Sequence, residues 1–164
     1  IEPEPFSDDR GLFRRHFCSR EFKENSIENS ILQCNISENK NAFTLRGFHY
    51  QREPDQEAKT LSCIVGSIYN IVVDIRENSK TFKKWISFEL SDSNRTSLHV
   101  PPGCANAFLT LKDNTHVHYY ISKNYAPNSE SGIRFDDPAF NFRWPASPKF
   151  ISQKDLNHPA FRIK

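Results

Sequence analysis

The sequence has little of what would place a protein at a membrane, on a nucleic acid or around a redox cofactor. No apolar run approaches the ~20 residues that a bilayer-spanning helix needs, and mean hydropathy is −0.68. No stretch reads as a secretory signal. Net charge is only +2, too little for the basic face that a phosphate backbone selects. Neither nucleic acid nor membrane is expected as a partner. There is no G-x-G-x-x-G fingerprint for a dinucleotide. The four cysteines (Cys18, Cys34, Cys63 and Cys104) form no C-x-x-C pair and no zinc spacing. Reduced thiols in a cytoplasmic protein are the expectation. Internal repeats, low-complexity tracts and linkers are also absent. One domain spanning residues 1–164 is expected, with room for a real core.

What the chain does have is aromatic residues and turn formers. There are fourteen Phe, five Tyr and ten Pro, with Ser/Asn/Asp clusters between short apolar runs. Such punctuation predicts many short strands. "ILQCNIS" alternates, and so does "KKWISFELS". "AKTLSCIVGSIYNIVVDIR" reads as two strands broken at Gly66 by a turn or bulge. Pro101 and Pro102 end one strand, and Gly103 opens the turn into the next. The best helix candidate is 19–30, with Ser19 as cap and Phe22 and Ile27 as its apolar face. Strands every 8 to 12 residues predict an all-β sandwich or barrel, with a jelly-roll β-sandwich and a few short helices as the expectation. A doubly wound α/β fold would need repeated helices between the strands.

Strand parity sorts the residues that could carry chemistry. In "HVHYYIS", Tyr119 shares a face with Val117 and Ile121, toward the core or a pocket. His116, His118 and Tyr120 point the other way, toward solvent or a neighbouring chain. Lys59 shares parity with Leu61 and Cys63. It is either a snorkelling side chain or a cation held in a pocket to stabilise negative charge. In "TLRGFHYQ", Gly47 interrupts the alternation between Arg46 and His49, and a bulge there would turn both side chains toward one cavity. The simpler alternative keeps Arg46 in a surface ion pair and His49 as a satisfied core residue. Asp155 in "ISQKD" reads by itself as a surface loop carboxylate. If it reached a histidine it would fix the tautomer and raise the basicity. No metal is expected. The His116-x-His118 pair lacks a third ligand, and Asn106 stands where a second metal-binding motif would need histidine.

Eight stretches in order carry a resemblance: "FSDDRGLF", "LQCNIS", "TLRGFHYQ", "AKTLSCIVGSIYNIVVDIR", "VPPGCANAF", "YYISKNYAP", "GIRFDDPAFNFRWP" and "ISQKD". The set closely resembles the dTDP-4-dehydrorhamnose 3,5-epimerase family, the metal-free epimerase branch of the cupins, over nearly the whole chain. The family's first strand would precede Ile1. The resemblance implies a cupin-type jelly roll and a nucleotide-sugar substrate. It implies epimerisation at C3, C5 or both of a nucleotide-linked 4-keto-6-deoxy sugar, in deoxysugar and cell-surface polysaccharide biosynthesis. No cofactor is implied. A homodimer is, with pockets completed by an exchanged strand. His49 is implied as general base, Asp155 as its orienting carboxylate, Tyr119 as the acid on the opposite face and Lys59 as the cation near the C4 oxygen. Arg10, Gln33, Asn35 and Arg46 would contact nucleotide and diphosphate, with Phe13 and Tyr125 as walls.

Three positions depart from the family pattern. Asn106 stands where it commonly has His, Asn70 where it often has Asp, and Arg15 where it often has Glu. Loss of an Asp and a His together leaves a neutral site, so Asn70 and Asn106 are expected to be neighbours. The alternatives are an epimerase acting at one carbon of a GDP- or CDP-linked sugar, a related 4-keto sugar isomerase, and a non-catalytic cupin-fold sugar-nucleotide binder.

Overall fold

The computed structural model describes residues 1–162. Eleven strands and two short helices follow one another along the chain. A hairpin of β1 (Phe6–Asp8) and β2 (Gly11–Phe13) comes first, then helix α1 (Ser19–Glu24). The strands β3 (Gln33–Asn39), β4 (Leu45–Gln51), β5 (Lys59–Val65) and β6 (Ser67–Asp74) follow. Then come β7 (Trp85–Ser91), β8 (Ser97–Val100), β9 (Cys104–Thr110), β10 (Thr115–Ile121) and β11 (Glu130–Gly132). Helix α2 (Gln153–Leu156) closes the described chain. No helix among the described residues is long and apolar enough to cross a membrane.

The strands form two main sheets, ordered β3-β10-β5-β8 and β11-β4-β9-β6-β7. Every ladder in them is antiparallel. This is the expected sandwich, and the reason is visible strand by strand. Leu61 and Cys63 of β5, Ile68 and Val72 of β6 and Val117 of β10 each fall on the inward parity of their strand. Together with Phe108 and Leu90 they form the core between the sheets. Each such large side chain, fully buried, contributes about 1.5–3 kcal/mol.

The five-stranded sheet is covered on its outer face as well. Strand β9 is buried at every position. On its outward side it carries Ala105 and Ala107, whose small size leaves room for aromatic rings. Phe48, Ile71, Val73, Ile133 and Phe140 pack there, with Trp85, Phe142 and Trp144 around them. Phe48 stacks on Phe142 with ring centres 4.2 Å apart. The segment after β11 is therefore a third layer. A parallel bridge from Thr44 to Phe150 ties its end to the start of β4.

Helix α1 is shorter than the predicted 19–30. Asn25 caps it, and Ser26 takes a left-handed φ of 57°. Its one buried side chain is Phe22, which meets Phe17 edge-on. Ile31 and Leu32 lie outside β3, which begins at Gln33.

The predicted interruption at Gly47 is real. Arg46 pairs with Phe108 and His49 with Asn106, so two residues of β4 oppose one of β9. Gly47 has φ +111°, a conformation that side chains rarely adopt. A Cβ there would lie 2.6 Å from the Asn106 carbonyl oxygen and 2.8 Å from Ala107. Only glycine lets β4 approach β9 so closely at this point. Gly47→Ala should lose roughly 2–4 kcal/mol from backbone strain and overpacking together. Urea unfolding midpoints measure this. A loss below about 0.5 kcal/mol would mean that the bulge does not depend on glycine.

Candidate active site

The bulge has a chemical consequence. Without it Arg46 and His49 would face opposite sides of β4. With it both line the space between the two sheets. His49 Nε2 lies 2.7 Å from Asp155 Oδ1. Asp155 is far along the chain, but the third layer brings α2 back against β4. Ser152 Oγ accepts the Asp155 N–H at 3.1 Å and caps that helix. Asp155 Oδ2 accepts the Gly47 N–H at 3.3 Å, so the bulge also helps to hold the carboxylate. Its side chain is only 5% exposed. Asp155 is thus no surface loop carboxylate, because the turn of α2 points it inward.

Burial alone would raise the Asp155 pKa. The His49 hydrogen bond and charge, aided by the Gly47 N–H, outweigh burial and keep the carboxyl below its ordinary value. A carboxylate only accepts hydrogen bonds, so Nε2 carries the ring proton. That leaves the His49 Nδ1 lone pair to the cavity, the tautomer a general base needs.

Lys59 is drawn inward as its parity predicts. Its Nζ lies 2.9 Å from Glu57 Oε1 and donates to the His49 carbonyl oxygen at 3.1 Å. Tyr119 projects from β10 into the same space and packs against the inter-sheet core. Burial raises its pKa, partly offset by the Arg46 charge. The phenol therefore keeps its proton at neutral pH. His49 stands on one sheet and Tyr119 and Lys59 on the other, all three lining the same cavity. The cavity holds about 240 Å³ on the side of Gln33, Tyr125 and Glu130 and about 260 Å³ on the side of Arg46, Asn106 and Tyr119. His49, Lys59 and Asn35 line both parts.

Other predicted residues fall into place unevenly. Gln33 and Asn35 line the cavity from β3, the edge strand. Tyr125 Oη donates to Glu130 Oε2 at 2.7 Å on its rim. Among the described residues Arg46 has no ion-pair partner; its Nε donates to Asn39 Oδ1 at 2.7 Å. The amide heads of Asn70 and Asn106 lie 3.3 Å apart, neighbours as expected. Arg10 and Phe13 are not brought to the cavity within one chain. They sit on the β1–β2 hairpin, where Phe13 is 73% exposed and Arg10 pairs with Asp8. Arg15 pairs with Glu21 on the surface. His118 is half-buried. It lies 3.3 Å from His16 and 3.0 Å from the Cys34 sulfur.

Three residues at the site escape the sequence reading. Glu57 has the same parity as Lys59, and that E-x-K spacing was the available signal. Glu130 holds Tyr125 and also pairs with Lys154. His158 follows Asp155 by three residues, and its Nε2 lies 3.7 Å from Asp155 Oδ1. Among the described residues, His49, Asp155 and His158 are the trio whose donor atoms come close enough to share a metal ion.

Comparison with known proteins gives a consistent picture. The family model described as dTDP-4-dehydrorhamnose 3,5-epimerase matches residues 1–162. A dTDP-4-dehydrorhamnose 3,5-epimerase of Methanothermobacter thermautotrophicus is 39% identical over 165 residues, covering 99% of this chain and 88% of its own. The crystal structure of the Bacillus anthracis dTDP-4-dehydrorhamnose 3,5-epimerase with TDP and PPi bound superposes with a TM-score of 0.95. It is 34% identical, with 98% of this chain and 91% of that chain covered. A 3'-monoepimerase from Streptomyces bikiniensis, in complex with dTDP-quinovose, superposes with a TM-score of 0.90 at 30% identity. There the coverage is 98% and 81%.

The Asp155 geometry sets a pH dependence. Its folded pKa is depressed, so its stabilisation is present above the ordinary value of 3.8 and is lost as pH falls through the lower folded value. Urea midpoints measured from about pH 6 down to about pH 3 should fall more steeply for the wild type than for Asp155→Asn. Equal slopes would mean that the carboxylate is not stabilised by His49 and Gly47.

Proposed function

The chain belongs to the dTDP-4-dehydrorhamnose 3,5-epimerase family, and from that premise we propose how its residues carry out the epimerisation. The substrate class is a nucleotide-linked 4-keto-6-deoxy sugar of the dTDP-4-dehydro-6-deoxyglucose type. The observation that carries the mechanism is the His49–Asp155 pair facing Tyr119 across the cavity.

The reaction inverts a carbon beside the C4 ketone. A proton there is only weakly acidic, and its removal moves an electron pair onto the ketone oxygen. His49 Nδ1 takes the proton from C3 or C5 while the Asp155 carboxylate stabilises the imidazolium. The Lys59 ammonium, steadied by Glu57 and the His49 carbonyl, stabilises the growing negative charge. The enolate carbon then takes a proton from the Tyr119 hydroxyl on the other wall. The new C–H bond forms opposite the one that broke, and the carbonyl is restored. No electron leaves the substrate. His49 and Tyr119 end with their protons exchanged against the starting state, and solvent resets them.

The loss of His49 should abolish proton exchange at every carbon, whereas Tyr119→Phe should spare abstraction more than inversion. Each loss should cost ~10²–10⁴ in rate. NMR of the sugar after incubation in D2O reads both. Undiminished exchange in His49→Ala would end its assignment as base, and normal inversion in Tyr119→Phe would end the assignment of the acid.

The nucleotide end of the site calls for a second copy of the chain. The hairpin leaves Phe6 76% and Phe13 73% exposed, apolar surface that suits a partner. At the cavity, β3 is an open sheet edge presenting Gln33 and Asn35. A homodimer in which each hairpin reaches the other copy's β3 would add Arg10 to the diphosphate and Phe13 to the base. The four cysteines, all unpaired, suit a reducing cytoplasm. Complementation tests the exchange. Arg10→Ala/Phe13→Ala chains and His49→Ala chains, each of low activity, should regain activity when refolded as a mixture, because one pocket of the mixed dimer is intact. A mixture no more active than its parts would leave each pocket to its own chain.

A second reading is epimerisation at one carbon only. It is favoured by the likeness to the 3'-monoepimerase and by the neutral Asn70–Asn106 pair, of which Asn106 lines the cavity and Asn70 lies buried behind it. Deuterium at C3 alone, with C5 unlabelled, would decide for it. The same assay with GDP- and CDP-linked sugars tests the nucleotide.

A further inference from the structure

His158 has no part in the chemistry above, yet its environment is built for it. Its side chain is 11% exposed. Its Nε2 is buried and has no hydrogen-bond partner among the described residues. The ring lies over Gly132, where any side chain would overlap it. A buried polar nitrogen without a partner costs stability unless something else engages it.

What it faces is Asp155 Oδ1, 3.7 Å away, and His49 Nε2 lies 2.7 Å from the same oxygen. All three donor atoms lie within 4.8 Å of one another. Two imidazoles and one carboxylate are a donor set that suits Zn2+ with one position left for water. In a tetrahedral site with bonds of about 2.0–2.1 Å, donor atoms sit roughly 3.4 Å apart. The two spacings observed at Oδ1 straddle that value, so the trio closes on an ion when the shorter one widens and the nitrogens draw in from within 4.8 Å. Asp155 supplies the negative charge. The nearby ammonium groups are already matched, Lys59 by Glu57 and Lys154 by Glu130.

We infer that His49, Asp155 and His158 form an inhibitory site for Zn2+ and similar divalent transition ions. The inference rests on His49 being the base. An ion here takes the place of the Nε2 proton and breaks the hydrogen bond to Asp155. His49 keeps Nδ1 in the cavity, but its electron density is drawn toward the cation and it no longer accepts a proton from carbon. A reaction that uses no metal is thereby stopped by one, and removing the ion restores it.

Two readouts test this on the intact protein. Zn2+ should inhibit proton exchange reversibly, with recovery on adding EDTA. Co2+ should give the visible absorption of a low-coordinate nitrogen/oxygen site, without a sulfur-to-cobalt charge-transfer band. His158→Ala and His158→Phe, the second keeping the ring volume over Gly132, should retain metal-free activity. Both should raise the Zn2+ concentration for half-inhibition by more than ~10-fold and lose the cobalt spectrum. A sulfur band would place the ion at Cys34 and His118 and overturn the inference, as would equal inhibition of the His158 variants or no binding of either ion. A His158-dependent cobalt spectrum with proton exchange unimpaired would also overturn the inhibition. In that case the fault would lie with His49 as base and not with the ion site.

Discussion

One hydrogen bond, from His49 to Asp155 across 106 residues of chain, gives the rest of the structure its purpose. An imidazole by itself in an inter-sheet cavity can adopt either tautomer. The carboxylate removes that freedom, and holding a carboxylate in a place 5% exposed takes several supports at once. The β4 bulge offers the Gly47 N–H, and Ser152 caps the helix that carries the acid. The aromatic layer on Ala105 and Ala107 anchors the returning chain. The feature that turns His49 toward the cavity also hydrogen-bonds its partner, so orientation and support share one backbone irregularity.

The sandwich supplies what a dyad alone lacks, a second wall. Inversion at carbon needs groups on both sides of a plane. Two sheets facing each other provide them without any loop closing. Tyr119 belongs to β10 in one sheet and His49 to β4 in the other, and Lys59 on β5 reaches across to the His49 carbonyl oxygen. Burial keeps the Tyr119 phenol protonated, while Asp155 stays ionised beside His49. The two walls thus hold opposite proton inventories at one pH.

Much of this was legible in the sequence because a strand's period is two. Parity alone turned Tyr119 and Lys59 inward, and both are there. Gly47, interrupting the alternation between Arg46 and His49, marked the bulge. The paired replacement of a histidine and an aspartate by Asn106 and Asn70 placed those residues side by side. What parity could not reach lies outside strands. Asp155 read as a surface residue because nothing in "ISQKD" says where the preceding twenty irregular residues travel. His158 and Glu130 were hidden for the same reason. Helix α1 was read too long because Ile27 looked like a further apolar turn, whereas the left-handed Ser26 ends the helix first. Arg10 and Phe13 were assigned to the pocket by family pattern. One chain leaves them on a hairpin away from it, and a pattern along the sequence does not say which copy a residue serves.

The position of Asp155 also bears on the order in which the molecule becomes itself. The ribosome releases His49 and both sheets' strands well before α2. A nascent chain stopped after β11 would carry His49 without its carboxylate partner. It would also show the uncovered outer face of Phe48, Ile71 and Val73. An unfinished copy therefore lacks the pair and is adhesive at the same time. The same segment that completes the pair also hides the surface by which chaperones and proteases would recognise an incomplete chain.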